Sequence, residues 1–316
     1  MLDRLAPGSR IAVIRLRSLG DCVLTTPALA LLKAHRPDLH IAIAVEDRYA
    51  SVFEGNPDVE TTLQPTIAAL RAWRPDATIN LHGGTRSMTL TAASGARYRA
   101  GFAHHRFAFL YTHKIPRAQE IMGVQRTVHT AEHVASAMFF LGVPPADVPR
   151  ARLASVPGSV LFGGTAPINR EMLGQRDYAL IHPFASAPEK TWPPERFLAV
   201  AEYIDAKLGL EPIFIPGPGE PVHLFGPHRV IQNAPIAVLK SLMSRARLFV
   251  GNDSGPAHFA AAYGVPSVVV FGPTDPAVWF PWRTAGRALQ MPGGIQEVSL
   301  PQVIEAVDAV KPRVNA

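Results

Sequence analysis

The stretch Leu248–Gly272, with the sequence LFVGNDSGPAHFAAAYGVPSVVVFG, constrains the fold most strongly, because it predicts a strand, a tight turn, a helix and a second strand. Turn-forming residues occupy Gly251–Gly255, and Pro256 suits a first helical turn, where its missing N–H costs nothing. Gly264 can end the helix in the left-handed conformation. The β-branched run Val265–Phe271 then predicts a buried parallel strand, so this half of the chain is expected to form an α/β sheet.

The turn before this helix has the features of an anion-binding site. Free backbone N–H groups at the positive end of a helix lie beside the carboxyl end of a strand, and Gly255 lets an anion approach the backbone closely. Asp253 or Ser254 can cap the helix, and Asp253 and His258 can shape the same pocket. The alternative is a capped crossover helix with nothing bound, and the spacing alone leaves both open.

A βαβ unit also begins the chain. Arg10–Leu16 predicts a strand, a polar turn with Gly20 and a helical pattern follow, and His40–Glu46 predicts the next strand, so a doubly wound parallel sheet is expected from the start. An NAD(P) enzyme with Glu46 on the ribose is not supported, because Gly20 stands alone where G-x-G-x-x-G is required. No G-x-x-x-x-G-K-[ST] loop occurs, which disfavours a P-loop kinase or NTPase.

The length of 316 residues is too great for one small core and predicts two domains. We expect a Rossmann-like domain over residues 1–150, a linker rich in Pro and Gly over 151–176, and a second Rossmann-like domain over 177–316, with one cleft between them. The last amphipathic helix, Gln302–Val310, is able to pack back on the first domain.

Composition narrows the class of protein. No apolar run approaches the roughly 20 residues needed to cross a bilayer, the start MLDRLAPGSR lacks an apolar signal core, and Cys22 is the single cysteine. Together these features predict a cytoplasmic protein. The net charge of +6 favours anionic partners such as phosphorylated substrates or an acidic membrane surface. No long basic run or interleaving of basic and aromatic residues indicates a nucleic-acid partner.

Polar side chains follow two strands of the first domain. Asp21 stands at the start of the first helix, and it is either a general base or a carboxylate that complements the helix dipole. His82 and Arg86 follow the predicted strand Asp76–Leu81, where an acceptor phosphate or sugar can lie; the alternative is a polar turn with a solvated Arg. The sequence at His129–His133, H-x-x-E-H, has a metal-like spacing, but no third ligand is evident and no metal site is predicted.

In the second domain, a long loop leaves the strand Tyr178–His182 and carries Lys190, a point cation suited to a phosphate oxygen. Trp192 and the proline after it are expected to stiffen this loop. Glu220 follows the next strand and can accept hydrogen bonds from a ribose, or it is an ordinary acid in a first helical turn.

Four segments in the same order along the chain resemble the heptosyltransferase family, glycosyltransferase family 9. They are RLRSLGDCVLTTPAL, HPFASAPEKTWPPERF, PGPGE and VGNDSGPAHFAAAYGVPSVVVFGPTDP, and the resemblance covers nearly the whole chain. It implies a GT-B fold, in which two doubly wound Rossmann-like domains face a central cleft. It also implies that the C-terminal domain binds a nucleotide-sugar, ADP-heptose in typical members, and the N-terminal domain a lipopolysaccharide inner-core acceptor.

The resemblance also implies roles for individual residues. Asp21 matches the family's proposed base and Lys190 its phosphate-binding lysine. The positions that match the donor site are Ser186, Glu220, Asp253, Ser254, Gly255, His258, Thr274 and Asp275. Arg17, His82 and Arg86 are the candidates for the acceptor site. Two residues depart from the pattern, Phe184 where many members have Gly and Thr191 where Arg often follows the Lys, and both border the donor site.

The expected function is therefore an inverting, metal-independent glycosyltransferase with an ADP-sugar as co-substrate and no cofactor. It would act in the cytoplasm, at the inner face of the membrane where its lipid-linked acceptor lies. Two other classes stay open: a nucleotide-sugar epimerase of similar two-domain shape, which needs no separate acceptor, and a non-catalytic nucleotide-sugar-binding protein. Asp21 and Lys190 together favour an enzyme over the binding protein, because a binding protein needs no base.

Overall fold

The computed structural model describes residues 1–154, 160–162, 166–168 and 176–312. The chain divides into two compact units, Met1–Ala154 and Ser155–Ala316. Most of the predicted linker over 151–176 lies outside the described residues.

The first unit alternates strands with helices. Its strands are β1 (Arg10–Ile14), β2 (His40–Ala44), β3 (Thr61–Leu63), β4 (Ala77–Asn80), β5 (Tyr98–Phe102) and β6 (His113–Ile115). Its helices are α1 (Leu19–His35), α2 (Asp47–Ala50), α3 (Ile67–Trp73), α4 (Thr85–Ala93), α5 (Ala118–Met122) and α6 (Thr130–Leu141). Short 3-10 turns occupy Leu2–Arg4 and Ala108–Leu110.

The six strands of the first unit form one sheet in the order β3-β2-β1-β4-β5-β6, and all neighbouring pairs are parallel. The strand order reverses between β1 and β4, whose residues Ile14 and Asn80 are paired in register. In open α/β sheets, ligands bind outside the carboxyl ends of the strands at such a reversal. A ligand of the first unit is therefore expected at the loops after β1 and β4.

The second unit begins with two short strands, β7 (Val160–Phe162) and β8 (Ala166–Ile168), which pair antiparallel. The further strands are β9 (Tyr178–His182), β10 (Glu211–Phe214), β11 (Arg229–Val230), β12 (Leu248–Asn252), β13 (Ser267–Val270) and β14 (Gly286–Leu289). The helices are α7 (Pro194–Tyr203), α8 (Ile236–Arg245), α9 (Gly255–Ala262), α10 (Pro276–Trp279) and α11 (Leu300–Val310). The 3-10 turns Pro188–Lys190, His223–Phe225 and Ile295–Glu297 and a π-helical turn over Ile204–Leu208 complete the list.

Strands β9 to β14 repeat the topology of the first sheet, with the all-parallel order β11-β10-β9-β12-β13-β14 and a reversal between β9 and β12. Strands β9, β12 and β13 are buried along their whole length, as expected of parallel strands covered by helices on both faces. Gly264 has a φ of 67° just after α9, which confirms the predicted helix end.

The last helix, α11, packs within the second unit. Val303, Ala306 and Val307 belong to the same hydrophobic core as Trp192 and Phe197. Burial of its apolar face therefore needs no contribution from the first unit, although the sequence left that docking open. Among the described residues, no helix combines the length and the apolar composition needed to span a bilayer.

Candidate active site

At the strand-order reversal of the first unit, Asp21 lies in the first turn of α1. Its Oδ2 accepts a hydrogen bond from Ser18 Oγ at 3.1 Å and its Oδ1 lies 3.3 Å from Arg15 Nη1, while 25% of the side chain stays exposed. The side chain of Asp21 also forms a capping box with Ser18, so the dipole-complementing arrangement is present. A carboxylate held from two sides and still open to solvent can accept a proton from a bound hydroxyl.

His82 lies two residues beyond the end of strand β4. Its backbone N–H donates to Asn80 Oδ1 at 3.1 Å, which fixes the turn after the strand. Its Nδ1 is buried and has no hydrogen-bond partner among the described residues. Burial, followed by the charge of Arg15, lowers the pKa of His82, whereas Asp21 acts in the opposite direction. His82 is thus a neutral imidazole near the Asp21 carboxylate at neutral pH.

The two arginines predicted for the acceptor site differ in their surroundings. The Arg86 guanidinium forms an ion pair with Glu46 at 3.1 Å, so part of its charge is already compensated. Arg17 is exposed at the end of the loop after β1. Of the two, Arg17 is better placed to attract an anion.

A group of rings at the end of β5 was missed by the sequence analysis. Phe102 stacks on His133 with ring centroids 4.3 Å apart, and His105 Nδ1 lies 2.9 Å from Tyr111 Oη. Burial lowers the pKa of His105 and His133 to about 4. An adjoining cavity of about 710 Å³ is lined by His104, Arg117, Gln119, Glu120, Val124, Gln125 and His133. The adjacent His104 and His105 in the loop after β5 were the available signal, but only the fold brings them to His133.

The H-x-x-E-H sequence performs other tasks. His129 is the N-cap of α6, with Nδ1 accepting from the Ala131 N–H at 3.0 Å, and Glu132 pairs with Arg126. His133 is the ring stacked on Phe102. Within the described ranges, no group of three or more metal-ligating side chains comes together.

At the reversal of the second unit, the loops after β9 and β12 bring Lys190 and Asp253 into contact. Lys190 Nζ lies 3.3 Å from Asp253 Oδ2, and Thr274 Oγ1 donates to the same oxygen at 2.6 Å. The Asp253 side chain is 9% exposed and that of Lys190 is 25% exposed. A largely buried carboxylate thus holds a cation at the mouth of a candidate anion site.

The start of α9 completes this anion site. Ser254 occupies the N-cap position without a hydrogen bond from its side chain to the helix, and its Oγ is buried with no partner among the described residues. Gly255 is the first helical residue, so the orphan N–H groups of the first turn start there. Pro256 has no N–H, and the Ala257 N–H donates to the Ser254 carbonyl at 3.2 Å. The Ser254 hydroxyl and the Gly255 N–H therefore remain to donate to an anion.

Trp192 anchors the loop that carries Lys190, as the sequence predicted. Its indole is fully buried, its backbone N–H donates to Asn252 Oδ1 at 3.0 Å and its Nε1 donates to the Val298 carbonyl at 2.8 Å.

The two residues that depart from the family pattern, Phe184 and Thr191, also have structural roles. Phe184 packs edge-on against Phe225 in the core, and the Thr191 hydroxyl donates to the Ala187 carbonyl within the loop.

The remaining donor candidates lie at the same edge of the second sheet or in its loops. Glu220 turns back on its own loop, where Oε2 accepts from the Gly217 N–H at 2.5 Å, and burial raises its pKa. Asp275 caps α10 by accepting from the Ala277 N–H at 2.8 Å. Ser186 is exposed in the bend before Lys190, whereas His258 is buried on α9. Asp275 thus has a structural task, and Glu220 is available to a ligand through its other oxygen.

Gly272 permits the close approach of the loop that carries Lys190. A Cβ at this position would lie 2.1 Å from the Glu189 carbonyl oxygen, which is backbone and cannot rotate away. We expect Gly272→Ala to displace that turn, to destabilise the second unit by about 1–3 kcal/mol and to weaken the nucleotide binding that the sequence predicts for this loop. Urea unfolding and calorimetric titration test this. Gly226→Ala is the control, because a Cβ at this position would lie 3.7 Å from its nearest neighbour, the His223 carbonyl oxygen. Equal behaviour of the two variants would contradict the prediction.

His182 makes the stability of the second unit depend on pH. Its ring is buried at the end of β9, Nδ1 lies 2.8 Å from the Ile215 carbonyl, and burial lowers its pKa to about 4. Between the ordinary pKa near 6.5 and this value, only the unfolded chain takes up the proton, so this histidine's contribution to stability is present above pH 6.5 and is lost as pH falls. We expect about 1.4 kcal/mol of loss per pH unit from this residue. Urea unfolding at several pH values measures how the free energy of unfolding changes with pH. This dependence should be shallower for His182→Asn than for the unmodified protein, and an unchanged dependence would refute the assignment.

Comparison with known proteins places this arrangement in a family. The family model for glycosyltransferase family 9 (heptosyltransferase) matches residues 65–215 and 228–294. Lipopolysaccharide heptosyltransferase 3 of Escherichia coli is 26% identical over 344 residues, covering 93% of this chain and 96% of the relative.

Solved structures show the same architecture. A glycosyl transferase family 9 protein from Veillonella parvula superposes with a TM-score of 0.81 at 25% identity, covering 96% of this chain and 97% of that one. The E. coli ADP-heptose lipopolysaccharide heptosyltransferase II gives a TM-score of 0.75 at 18% identity, with 95% and 98% coverage, which supports the fold alone. The predicted GT-B fold is therefore confirmed, and the chain belongs to glycosyltransferase family 9, the heptosyltransferase family, and is a glycosyltransferase.

Proposed function

We propose that this enzyme transfers heptose from ADP-heptose to a sugar of the lipopolysaccharide inner core, with inversion at the anomeric carbon. The observation that carries the proposal is the cluster of Lys190, Asp253 and Thr274 beside the first turn of α9. The names of related proteins support the choice of donor and acceptor, since they act on lipopolysaccharide and one is named for ADP-heptose.

The donor diphosphate is proposed to bind at the start of α9. In this proposal Lys190 and the Gly255 N–H face the leaving nucleoside diphosphate, with the Ser254 hydroxyl as a further donor. As the bond between the anomeric carbon and the phosphate oxygen breaks, negative charge grows on that oxygen, and fixed donors lower the energy of this state. Asp253 cannot donate to a phosphate, so its proposed task is to hold Lys190 and Thr274 in place.

Asp21 is proposed as the general base. It accepts the proton of the acceptor hydroxyl while that oxygen forms the new bond to the anomeric carbon and the nucleoside diphosphate leaves from the opposite face. An inverting enzyme needs its base on the face away from the leaving group, so the base and the donor site belong on different elements. Here they belong to different units, Asp21 to the first and Lys190 to the second.

The acceptor is proposed to bind the first unit. Arg17 lies in the loop between β1 and α1, and His82 lies in the turn after β4 at the same edge of the sheet. Arg86 lies in the first turn of α4 and pairs with Glu46. The cavity beside His133 and His104 adds amide, imidazole and guanidinium groups of the kind that bind sugars and their anionic substituents. We place the enzyme at the cytoplasmic face of the membrane, where its net positive charge of +6 favours contact with anionic lipid.

The reaction is proposed to proceed without a resident metal or cofactor. In this proposal, the charge that a metal would neutralise on the diphosphate is met by Lys190, the Gly255 N–H and the Ser254 hydroxyl. The leaving group is a stable anion, so it needs no protonating acid. An epimerase is a weaker candidate, because the family to which the chain belongs is one of glycosyltransferases.

Thermal stabilisation by ADP, UDP, GDP, CDP and NAD at matched concentrations tests the donor. A ligand that binds only the folded protein stabilises it by RT ln(1 + [L]/Kd), about 2.7 kcal/mol at a hundredfold excess over Kd. We expect a rise in Tm with ADP that exceeds the rise with every other nucleotide. A larger shift with UDP or GDP would replace the donor, and a shift with NAD would contradict the donor-site assignment.

Product analysis tests the transfer itself. Incubation with ADP-heptose and a purified inner-core acceptor should yield ADP and an acceptor enlarged by one heptose, and NMR of the product should show the inverted anomeric configuration. A rearranged nucleotide-sugar formed from donor alone would identify an epimerase instead.

A further inference from the structure

The guanidinium of Arg15 touches the candidate base in two ways. Its Nη1 lies 3.3 Å from Asp21 Oδ1, and its Nε donates to Thr25 Oγ1 at 3.1 Å. Thr25 Oγ1 in turn donates to the backbone carbonyl of Asp21 at 2.8 Å. Arg15 therefore contacts the Asp21 carboxylate directly and the Asp21 backbone through one hydroxyl.

The side chain of Arg15 is more buried than that of Asp21, the residue that it contacts. Arg15 is 6% exposed and its backbone N–H donates to the Ala44 carbonyl at 3.1 Å, which continues the ladder between β1 and β2. Burial lowers the pKa of Arg15, and the charge of Asp21 is the largest influence in the opposite direction. A buried cation needs a compensating partner, and Asp21 is the nearest carboxylate.

The other groups around Asp21 differ from Arg15 in their burial, their charge or their partners. Ser18 holds the second carboxylate oxygen from the exposed side, and His82 is neutral at neutral pH because burial lowers its pKa. Glu46 is paired with Arg48 and Arg86, and Cys22 is a buried thiol whose pKa burial raises to about 12. Arg15 is thus the buried charged group that contacts the Asp21 carboxylate in the described part of this edge.

We propose that Arg15 is a positioning residue for the base, fixing the Asp21 carboxylate in the orientation from which it accepts the acceptor's proton. The inference rests on the proposed role of Asp21. A planar guanidinium fixes both the direction and the distance of its partner, which a flexible lysine ammonium does not. After proton transfer the Asp21 carboxyl is neutral, and Arg15 retains its bond to Thr25.

The test compares Arg15→Met, Asp21→Asn and the double variant in steady-state transfer assays with ADP-heptose. We expect Arg15→Met to lower kcat by about 10- to 100-fold, because misplacing a reacting group by about 1 Å has an effect of this size. KM for the donor should stay within about twofold, since the donor site is in the second unit. Arg247→Met is the matched control: Arg247 is also buried and ion-paired, with Asp177 at 3.0 Å, at the amino end of β12.

The double variant separates positioning from general stability. If Arg15 acts through Asp21, adding Arg15→Met to Asp21→Asn should lower kcat by less than about twofold further. Losses that multiply in the double variant, or a kcat for Arg15→Met within twofold of the unmodified enzyme, would overturn the inference. Should Arg15→Met fail to fold, Arg15→Lys, which keeps the charge and loses the fork, serves in the same comparison.

The result for Asp21→Asn alone distinguishes a failure of the proposed base from a failure of the positioning role of Arg15. Full activity of that variant would refute the proposed base, and the inference on Arg15 would fall with it. Loss of activity in Asp21→Asn combined with multiplicative losses in the double variant would leave the base in place and refute only the role of Arg15.

Discussion

Asp21→Asn is expected to lower kcat for glycosyl transfer by about 10²- to 10⁴-fold, the usual contribution of a general base. An amide side chain keeps the size of the carboxylate and can still accept a hydrogen bond from Ser18, so the capping box of α1 is largely preserved. It cannot take up the proton of the acceptor hydroxyl. Because the proposed donor site lies in the second unit, the Kd for ADP should not change, and calorimetry with ADP checks this separately from the kinetic assay.

Asp38→Asn is the control for that substitution. Asp38 is an ion-paired carboxylate of the same unit, 2.7 Å from Arg36 and away from the carboxyl edge of the sheet. We expect its kcat to match that of the unmodified enzyme. If Asp21→Asn retained most of its transferase activity, another group would have to accept the proton, and His82, neutral and close by, would be the next to test.

The sequence predicted the positions of the candidate site better than its contacts. Asp21, His82, Lys190 and Asp253 were each expected at the carboxyl end of a strand, because hydrophobic runs and turn residues mark where strands end. Which strands are neighbours depends on tertiary packing, so the pairing of β1 with β4 and of β9 with β12 was not available. Those pairings bring Lys190 against Asp253, and they place His82 near Asp21.

Residues whose role depends on distant packing were the ones missed. His105 lies in a loop without periodicity, and its hydrogen bond to Tyr111 follows from the path of the chain along the edge of the sheet. Asp253 was predicted at the donor site, but its contacts with Thr274 and Lys190 depend on packing between loops that are distant in the sequence. Gly272 is one of 24 glycines, and the sequence does not distinguish it from the others. A side chain is excluded at this position only because the turn at Glu189 packs against it in the folded protein.

Lys190→Ala is expected to weaken ADP binding by about 10- to 100-fold, which corresponds to the roughly 1.5–3 kcal/mol of a hydrogen bond to a charged group. Since we propose that the same ammonium group meets the charge that develops on the leaving diphosphate, kcat should fall together with the rise in donor KM. Calorimetric titration with ADP and steady-state kinetics measure the two effects. Lys207→Ala, an exposed lysine in the π-helical turn after α7, is the matched control and should behave as the unmodified enzyme.

The same substitution also has a consequence for stability, and it must be separated from binding. Without Lys190, the Asp253 carboxylate keeps Thr274 as a donor but loses its cation, and an uncompensated buried charge destabilises the fold. Asp253→Asn combined with Lys190→Ala removes that charge, so the double variant should regain stability without regaining affinity for ADP. If it regained both, the loss of affinity would come from a distorted loop. If Lys190→Ala changed neither the Kd for ADP nor the donor KM, Lys190 would lie outside the donor site.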